Sequence, residues 1–270
     1  MTCRWRLAIV LTAMLAAGGC SRGRPSDSPD VAATSTYLHC AVADLLGESV
    51  EVMTLSGPGN CPGHFDITPD KAVRLRRCRV LLRFSFQQSL DQKVNPGGAD
   101  GPRIVSVDIQ NGLCEPAGYL SACRQVADAM VAAGLMDTAA AAKRLGEIER
   151  RVTAAGEQAK NKVAALAGRR VLASGHQAGF CRWLGLDVAA TFSGEDDPAR
   201  IVRAISAGRD VRLIIGNVPE GRVVADRLAG ALDGRPRVVM FDNFPSPQAG
   251  GFDAMLRSNV ERLIGRGGEP

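Results

Sequence analysis

At 270 residues, 46% of them apolar, the chain is long enough for one large domain or two lobes of ordinary size. Its 33 Lys and Arg against 28 Asp and Glu leave a net charge of only +5, with the basic residues scattered. No basic patch interleaved with aromatics marks a nucleic-acid surface, so partners of that class are not expected.

Met1 to Arg6 is short and basic, Leu7 to Ala17 is apolar, and Gly18-Gly19 precede Cys20. That order is the form of a secretory signal, and the apolar run is too short to span a bilayer comfortably. The small residues before Cys20 resemble a bacterial lipoprotein cleavage box, in which that cysteine becomes the lipidated N-terminus. Ala17 stands where leucine is commoner, which leaves plain secretion and a retained anchor as alternatives. Residues 1–20 are read as the signal peptide, and residues 21–34, rich in Ser, Pro, Asp and Arg, as a flexible tether. Six cysteines follow: Cys40, Cys61, Cys78, Cys114, Cys123 and Cys181. In an exported chain an even number suggests disulfides, although the sequence does not choose a pairing.

Short β-type runs occupy Val50–Leu55, Val80–Phe84, Ile104–Val107, Val171–Ala173, Val188–Ala190, Val211–Ile215 and Val238–Phe241, and helical stretches separate them. The alternation predicts an α/β fold with parallel sheets flanked by helices. From Asp137 to Ala167 there is no Pro, and Leu145, Ile148, Val152, Ala159, Val163 and Leu166 recur at steps of mostly three and four. This predicts one amphipathic helix, at 1.5 Å per residue roughly 45 Å long. Two shorter helices broken near Gly156 are the alternative. The expected body is therefore two lobes, each a small parallel sheet, at 35–136 and 168–270, joined by one long rigid α-helix at 137–167.

The sequence contains only three histidines, so the placement of each is informative. His64 lies in the Gly/Pro loop after Val50–Leu55, His176 follows Val171–Ala173 after two residues, and Asp242 follows Val238–Phe241 directly. Ligands of open α/β sheets bind outside the carboxyl ends of strands, where these side chains sit. Two imidazoles and a carboxylate make a plausible Zn(II) or Mn(II) set. Equally, a His or Asp just after a strand often serves as a turn or helix-cap residue.

A resemblance adds to this reading. Val50-Glu-Val52 with Leu55, the Gly/Pro loop, His64 and Thr68-Pro69 resemble the first metal-binding loop of the zinc/manganese substrate-binding lipoproteins of ABC importers. Ser174-Gly-His176-Gln-Ala178 with Leu184-Gly185-Leu186 is similar to that family's third-ligand segment. Phe192-Ser193-Gly194-Glu195-Asp196-Asp197-Pro198 looks like its Ser-Gly-Glu stretch. Phe241-Asp242 resembles the terminal ligand, and Met255 to Leu263 the closing helix. The likeness runs from about Tyr37 to Gly265. It implies a non-enzymatic, extracytoplasmic metal-binding component, a monomer anchored by lipid at Cys20. That component would hold one divalent ion, Zn(II) or next Mn(II), between its lobes for an ABC permease and its ATPase, in the periplasm or on the outer face of the cytoplasmic membrane. His64, His176 and Asp242 would be the ligands.

The chain departs from the family pattern within Cys114 to Leu120, where Ala117 stands in place of the second histidine. A fourth ligand is left open among Glu115, Cys114, Cys61, His39 and water. A cysteine donor would favour a softer ion, and disulfides would remove Cys61 and Cys114 from consideration. Asn217 stands where the family tends to carry glutamate, which suggests a supporting role. Asp196-Asp197 reads as a cation pair or a helix cap, Phe180 and Trp183 as a shield for the metal or core, and Gly250-Gly251 as a mobile loop or a turn. Two further functions follow from the departures: an envelope interaction or sensing lipoprotein that no longer transports metal, and a hydrolytic metalloenzyme with Glu115 or Glu195 as base.

Overall fold

The computed structural model describes residues 29–47, 50–57, 67–94, 101–110, 112–194 and 197–265. The first lobe is entered at β1 (Val31–Ala33), every residue of which is buried. This corrects the tether expected over 21–34, whose last residues belong to the core. Val31 pairs with Val52 on one side and Val80 on the other, so neighbours on both edges make the strand, not any period within three residues. Ser35 caps α1 (Thr36–Leu46), its hydroxyl accepting the N–H of Leu38 at 3.4 Å. After β2 (Val52–Thr54), Thr68 caps α2 (Pro69–Arg77). Pro69 sits in its first turn and Arg74, Arg76 and Arg77 near its end, matching both the missing N–H and the helix dipole. Then come β3 (Val80–Phe84), α3 (Leu90–Val94), β4 (Arg103–Val107) and α4 (Pro116–Ala132).

The linking helix α5 (Thr138–Val163) starts on the Asp137 cap, which accepts the N–H of Ala140 at 2.7 Å, and a 3-10 turn extends it to Leu166. Ile148, Val152, Ala159 and Val163 of the expected stripe are buried. There is no break at Gly156. A Cβ there would stand 2.9 Å from Cγ of Pro116 and 3.4 Å from Trp183, so the glycine serves close approach of neighbouring helices.

The second lobe repeats the first in β5 (Arg170–Ser174), α6 (Ala178–Trp183), β6 (Asp187–Phe192), α7 (Pro198–Ala207), β7 (Leu213–Asn217), α8 (Val223–Ala231), β8 (Arg237–Phe241) and α9 (Gly251–Leu263). Both sheets are four-stranded and parallel, ordered β2-β1-β3-β4 and β6-β5-β7-β8. In each, successive connections run in opposite directions from the lobe's first strand. A crevice therefore opens at the carboxyl ends of β1 and β3, and another at those of β5 and β7.

Helix α9 returns to pack on α5 and α1. Phe252 of α9 stacks on Tyr119 of α4 with ring centres 4.3 Å apart, and Tyr37 meets Tyr119 edge-on at 5.3 Å. Arg151 of α5 holds Asp44 of α1 at 2.6 Å and Asp253 of α9 at 2.8 Å. Both lobes are thus tied to the same rigid helix. Among the described residues no helix is long and apolar enough to cross a membrane.

The disulfides expected from the cysteine count do not form among the described residues: Cys40, Cys78, Cys114, Cys123 and Cys181 are free and buried. They lie on or beside four helices, Cys114 and Cys123 sharing α4, and fill the core as small apolar groups.

Candidate functional site

His176 sits in the tight turn between β5 and α6, with its N–H donating to Oγ of Ser174 at 3.2 Å. That turn projects the imidazole outward, and the side chain is 66% exposed. It borders a cleft of about 430 Å³ between the lobes, with Phe84, Phe86, Gly112, Leu113 and Asn243 on its walls. Asn243 is buried, and its side-chain Oδ1 has no hydrogen-bond partner.

Beside His176 lies Glu220, a residue outside the set expected from the sequence. It ends the 3-10 turn Val218–Glu220 that follows β7, so its carboxylate and the His176 ring flank the crevice of the second sheet. Oε1 of Glu220 lies 3.6 Å from Nε2 of His176. Oε2 accepts the Ser174 hydroxyl at 2.5 Å and Oε1 the N–H of Gly194 at 3.3 Å. A Cβ on Gly194 would come within 2.7 Å of Cβ of Glu220, so this loop closes over the glutamate only with glycine. The strand-end rule that singles out Asp242 also covers Glu220, which lies in the turn three residues beyond Asn217 at the end of β7. The Asn217 side chain accepts from Nε2 of Gln177 at 3.0 Å within the core.

Asp242 follows β8 as expected, but its carboxylate borders a different cavity, of about 330 Å³, beside Asn259 and Arg262. Oδ1 accepts the N–H of Phe244 at 3.0 Å, and burial raises the carboxyl's pKa. Cys114 is buried at the lobe junction. Its thiol donates to the carbonyl of Asp242 at 3.1 Å and reaches Oε1 of Gln177 at 3.4 Å. Burial first, and then the Asp242 charge, pushes its pKa well up. Glu115 turns back on its own loop, accepting the N–H of Gly112 at 3.3 Å, and its carboxylate packs where Gly179 leaves room. His39 lines a third cavity, of about 470 Å³, with Asp44, Glu51 and Arg151. Its Nδ1 lies 2.7 Å from Oγ1 of Thr54, and burial lowers its pKa.

His64, Cys61, Glu195, Asp196 and Cys20 lie outside the described residues. Asp197 caps α7, accepting the N–H groups of Ala199 at 3.0 Å and Arg200 at 3.2 Å. Phe180 is buried and stacks on Trp183 at 5.7 Å as core packing. Gly250 takes a left-handed conformation, φ 87°, as the turn into α9. Among the described residues no three His, Cys, Asp or Glu side chains gather closely enough to hold a metal ion. The structure brings His176 together with Glu220, places Asp242 and His39 on other cavities, and packs the Glu115 carboxylate against Gly112 and Gly179 of the cleft wall.

No protein-family model matches the chain, and no curated protein sequence matches it. Solved structures do share its fold. The Mn-bound periplasmic metal binding protein from Candidatus Liberibacter asiaticus aligns with TM-score 0.73 at 12% identity, covering 87% of this chain and 98% of that one. The Cd-bound form of that protein aligns equally well, with TM-score 0.73 at 13% identity over the same shares. ZnuA aligns with TM-score 0.71 at 12% identity, covering 88% of this chain and 99% of that one. At this level of identity the likeness shows a common architecture, in which two parallel α/β lobes are joined by a long helix.

Proposed function

We propose that this protein is the extracytoplasmic metal-binding component of an ABC importer, capturing Zn(II) or Mn(II) between its lobes and delivering it to a membrane permease. The observation that carries this reading is the two-lobed body with His176 projecting into the cleft at the carboxyl end of β5. Neighbours of the same architecture are described as metal-binding, in manganese- and cadmium-bound forms. In this reading His64 and His176 supply neutral nitrogen and a carboxylate supplies oxygen that offsets the ion's charge; Asp242, the carboxylate expected from the sequence, borders a separate cavity in this structure and reaches the ion only by turning from it. Export, lipid attachment through Cys20, a monomeric state and the absence of enzymatic turnover complete it.

The test is elemental analysis of the domain beginning near Ser21, purified without a metal-affinity tag, stripped, and reloaded from an equimolar mixture of metals. One equivalent of a single metal is expected, lost in the His64→Ala/His176→Ala double variant. Ion binding at about 1,000 times Kd would also add roughly 4 kcal/mol of stability, so chelation should lower Tm in the wild type and leave the double variant unmoved.

A second reading is an envelope interaction protein of the same fold that has given up metal transport. Ala117 in place of a ligand favours it, as does the lack of a three-donor cluster among the described residues. Wild-type protein that retains no metal in the same experiment would select it.

A further inference from the structure

We infer that Glu220 is an oxygen ligand of the cleft's metal cargo, acting with His176. The inference rests on the metal-binding reading above and extends it to a residue outside the expected set. Three observations carry it.

The first is separation. Nε2 of His176 and Oε1 of Glu220 stand 3.6 Å apart. An N–H···O hydrogen bond centres at about 2.9–3.0 Å. Two donors of one tetrahedral zinc, each about 2.0–2.1 Å from the ion, lie roughly 3.4 Å apart. The pair stands near the spacing of two donors on one ion, longer than an ordinary hydrogen bond and within reach of a direct ion pair.

The second is topology. His176 follows β5 and Glu220 follows β7, the adjacent strands beside which the sheet order reverses, where open parallel sheets bind their ligands. Asp242 follows the edge strand β8 and turns to another cavity.

The third is preorganisation. The Glu220 side chain is only 17% exposed. The Ser174 hydroxyl and the Gly194 N–H fix its carboxylate, leaving Oε1 a lone pair on the His176 side. Outer-shell donors of this kind orient ligating carboxylates in metal sites. Of the other described candidates, the Cys114 thiol is buried against Asp242 and Gln177, His39 bonds Thr54 beside another cavity, and Glu115 accepts, among the described residues, only the Gly112 N–H.

The experiment measures Zn(II) affinity by chelator competition, and the visible spectrum of the Co(II)-loaded protein, for wild type, Glu220→Gln and Glu220→His. Urea melts of the metal-free proteins establish that each variant is folded. Glu220→Gln keeps the shape and the Ser174 contact but removes the anionic donor. It is expected to weaken Zn(II) binding on the order of 100-fold and to alter the Co(II) bands. Glu220→His, which restores a donor, is expected to bind within about tenfold of wild type. Affinity of the Gln variant within about threefold of wild type, with unchanged Co(II) bands, would overturn the assignment while leaving the metal-binding reading intact. Wild-type protein with no measurable affinity for either ion would overturn both.

Discussion

The Cys114 thiol, in the loop entering α4, donates to the main-chain carbonyl of Asp242 just after β8, 3.1 Å away across the lobe junction. Asn259 donates to the same carbonyl at 2.7 Å and accepts the Asp242 N–H at 2.9 Å. A thiol that a redox or metal reading would take as reactive is here a buried hydrogen-bond donor holding one lobe to the other. With Arg151 and the Tyr119–Phe252 stack, it gives the lobes several fixed points on or near the long helix.

Burial of so many weak acids predicts loss of stability in alkali. Desolvation pushes Cys78 up to about 11 and Cys40 and Cys181 to about 12, and it raises Cys114, Cys123, Tyr37 and Tyr119 as well. In the unfolded chain thiols titrate near 8.5 and tyrosines near 10. Folded values raised above unfolded ones mean that unfolding releases protons, so this stability is full below about pH 8.5 and is lost as pH rises toward the folded values. Each thiol ionised only in the unfolded chain contributes a fall of up to about 1.4 kcal/mol per pH unit. Urea midpoints in reducing buffer should drop steadily between about pH 8 and 10.5. A flat profile would mean that these groups are solvated in the native protein.

Gly156→Ala tests the close approach to α5. Alanine favours a helix interior over glycine by about 1 kcal/mol. Here the new methyl would meet Pro116 Cγ at 2.9 Å, a ring that cannot swing aside as a long side chain does. Overpacking costs about 1–3 kcal/mol, so a net loss is expected on chemical denaturation. A gain would show that α4 yields easily.

Arg151→Ala should loosen both lobes from the helix. The partners are partly exposed, at 39% for Arg151, 27% for Asp44 and 19% for Asp253, so solvent screens the pairs. A double-mutant cycle of Arg151→Ala with Asp44→Ala, and another with Asp253→Ala, should each return about 0.5–1 kcal/mol of coupling. Zero coupling in both would leave the aromatic stack and the Cys114–Asp242 hydrogen bond as the connections between the lobes.

The repeating strands, the uninterrupted α5 and the two-lobe arrangement were legible in the residues, because apolar periodicity acts over a few neighbouring positions, as does the cap read at Asp197. Strand-end placement also brought His176 into view as a cleft residue. β1 escaped because three residues carry no period, and its burial is conferred by β2 and β3. The free state of the described cysteines escaped because number and compartment speak to disulfides only statistically, whereas packing on separate elements decides which sulfurs meet. Spacing along the chain thus determined the elements and their order. That Glu220 faces His176 from 44 residues away in sequence, while Asp242 turns to another cavity, was decided only when β7 paired with β5 and the loop at Gly194 closed over the carboxylate, since long-range pairing sets which strand ends share a crevice.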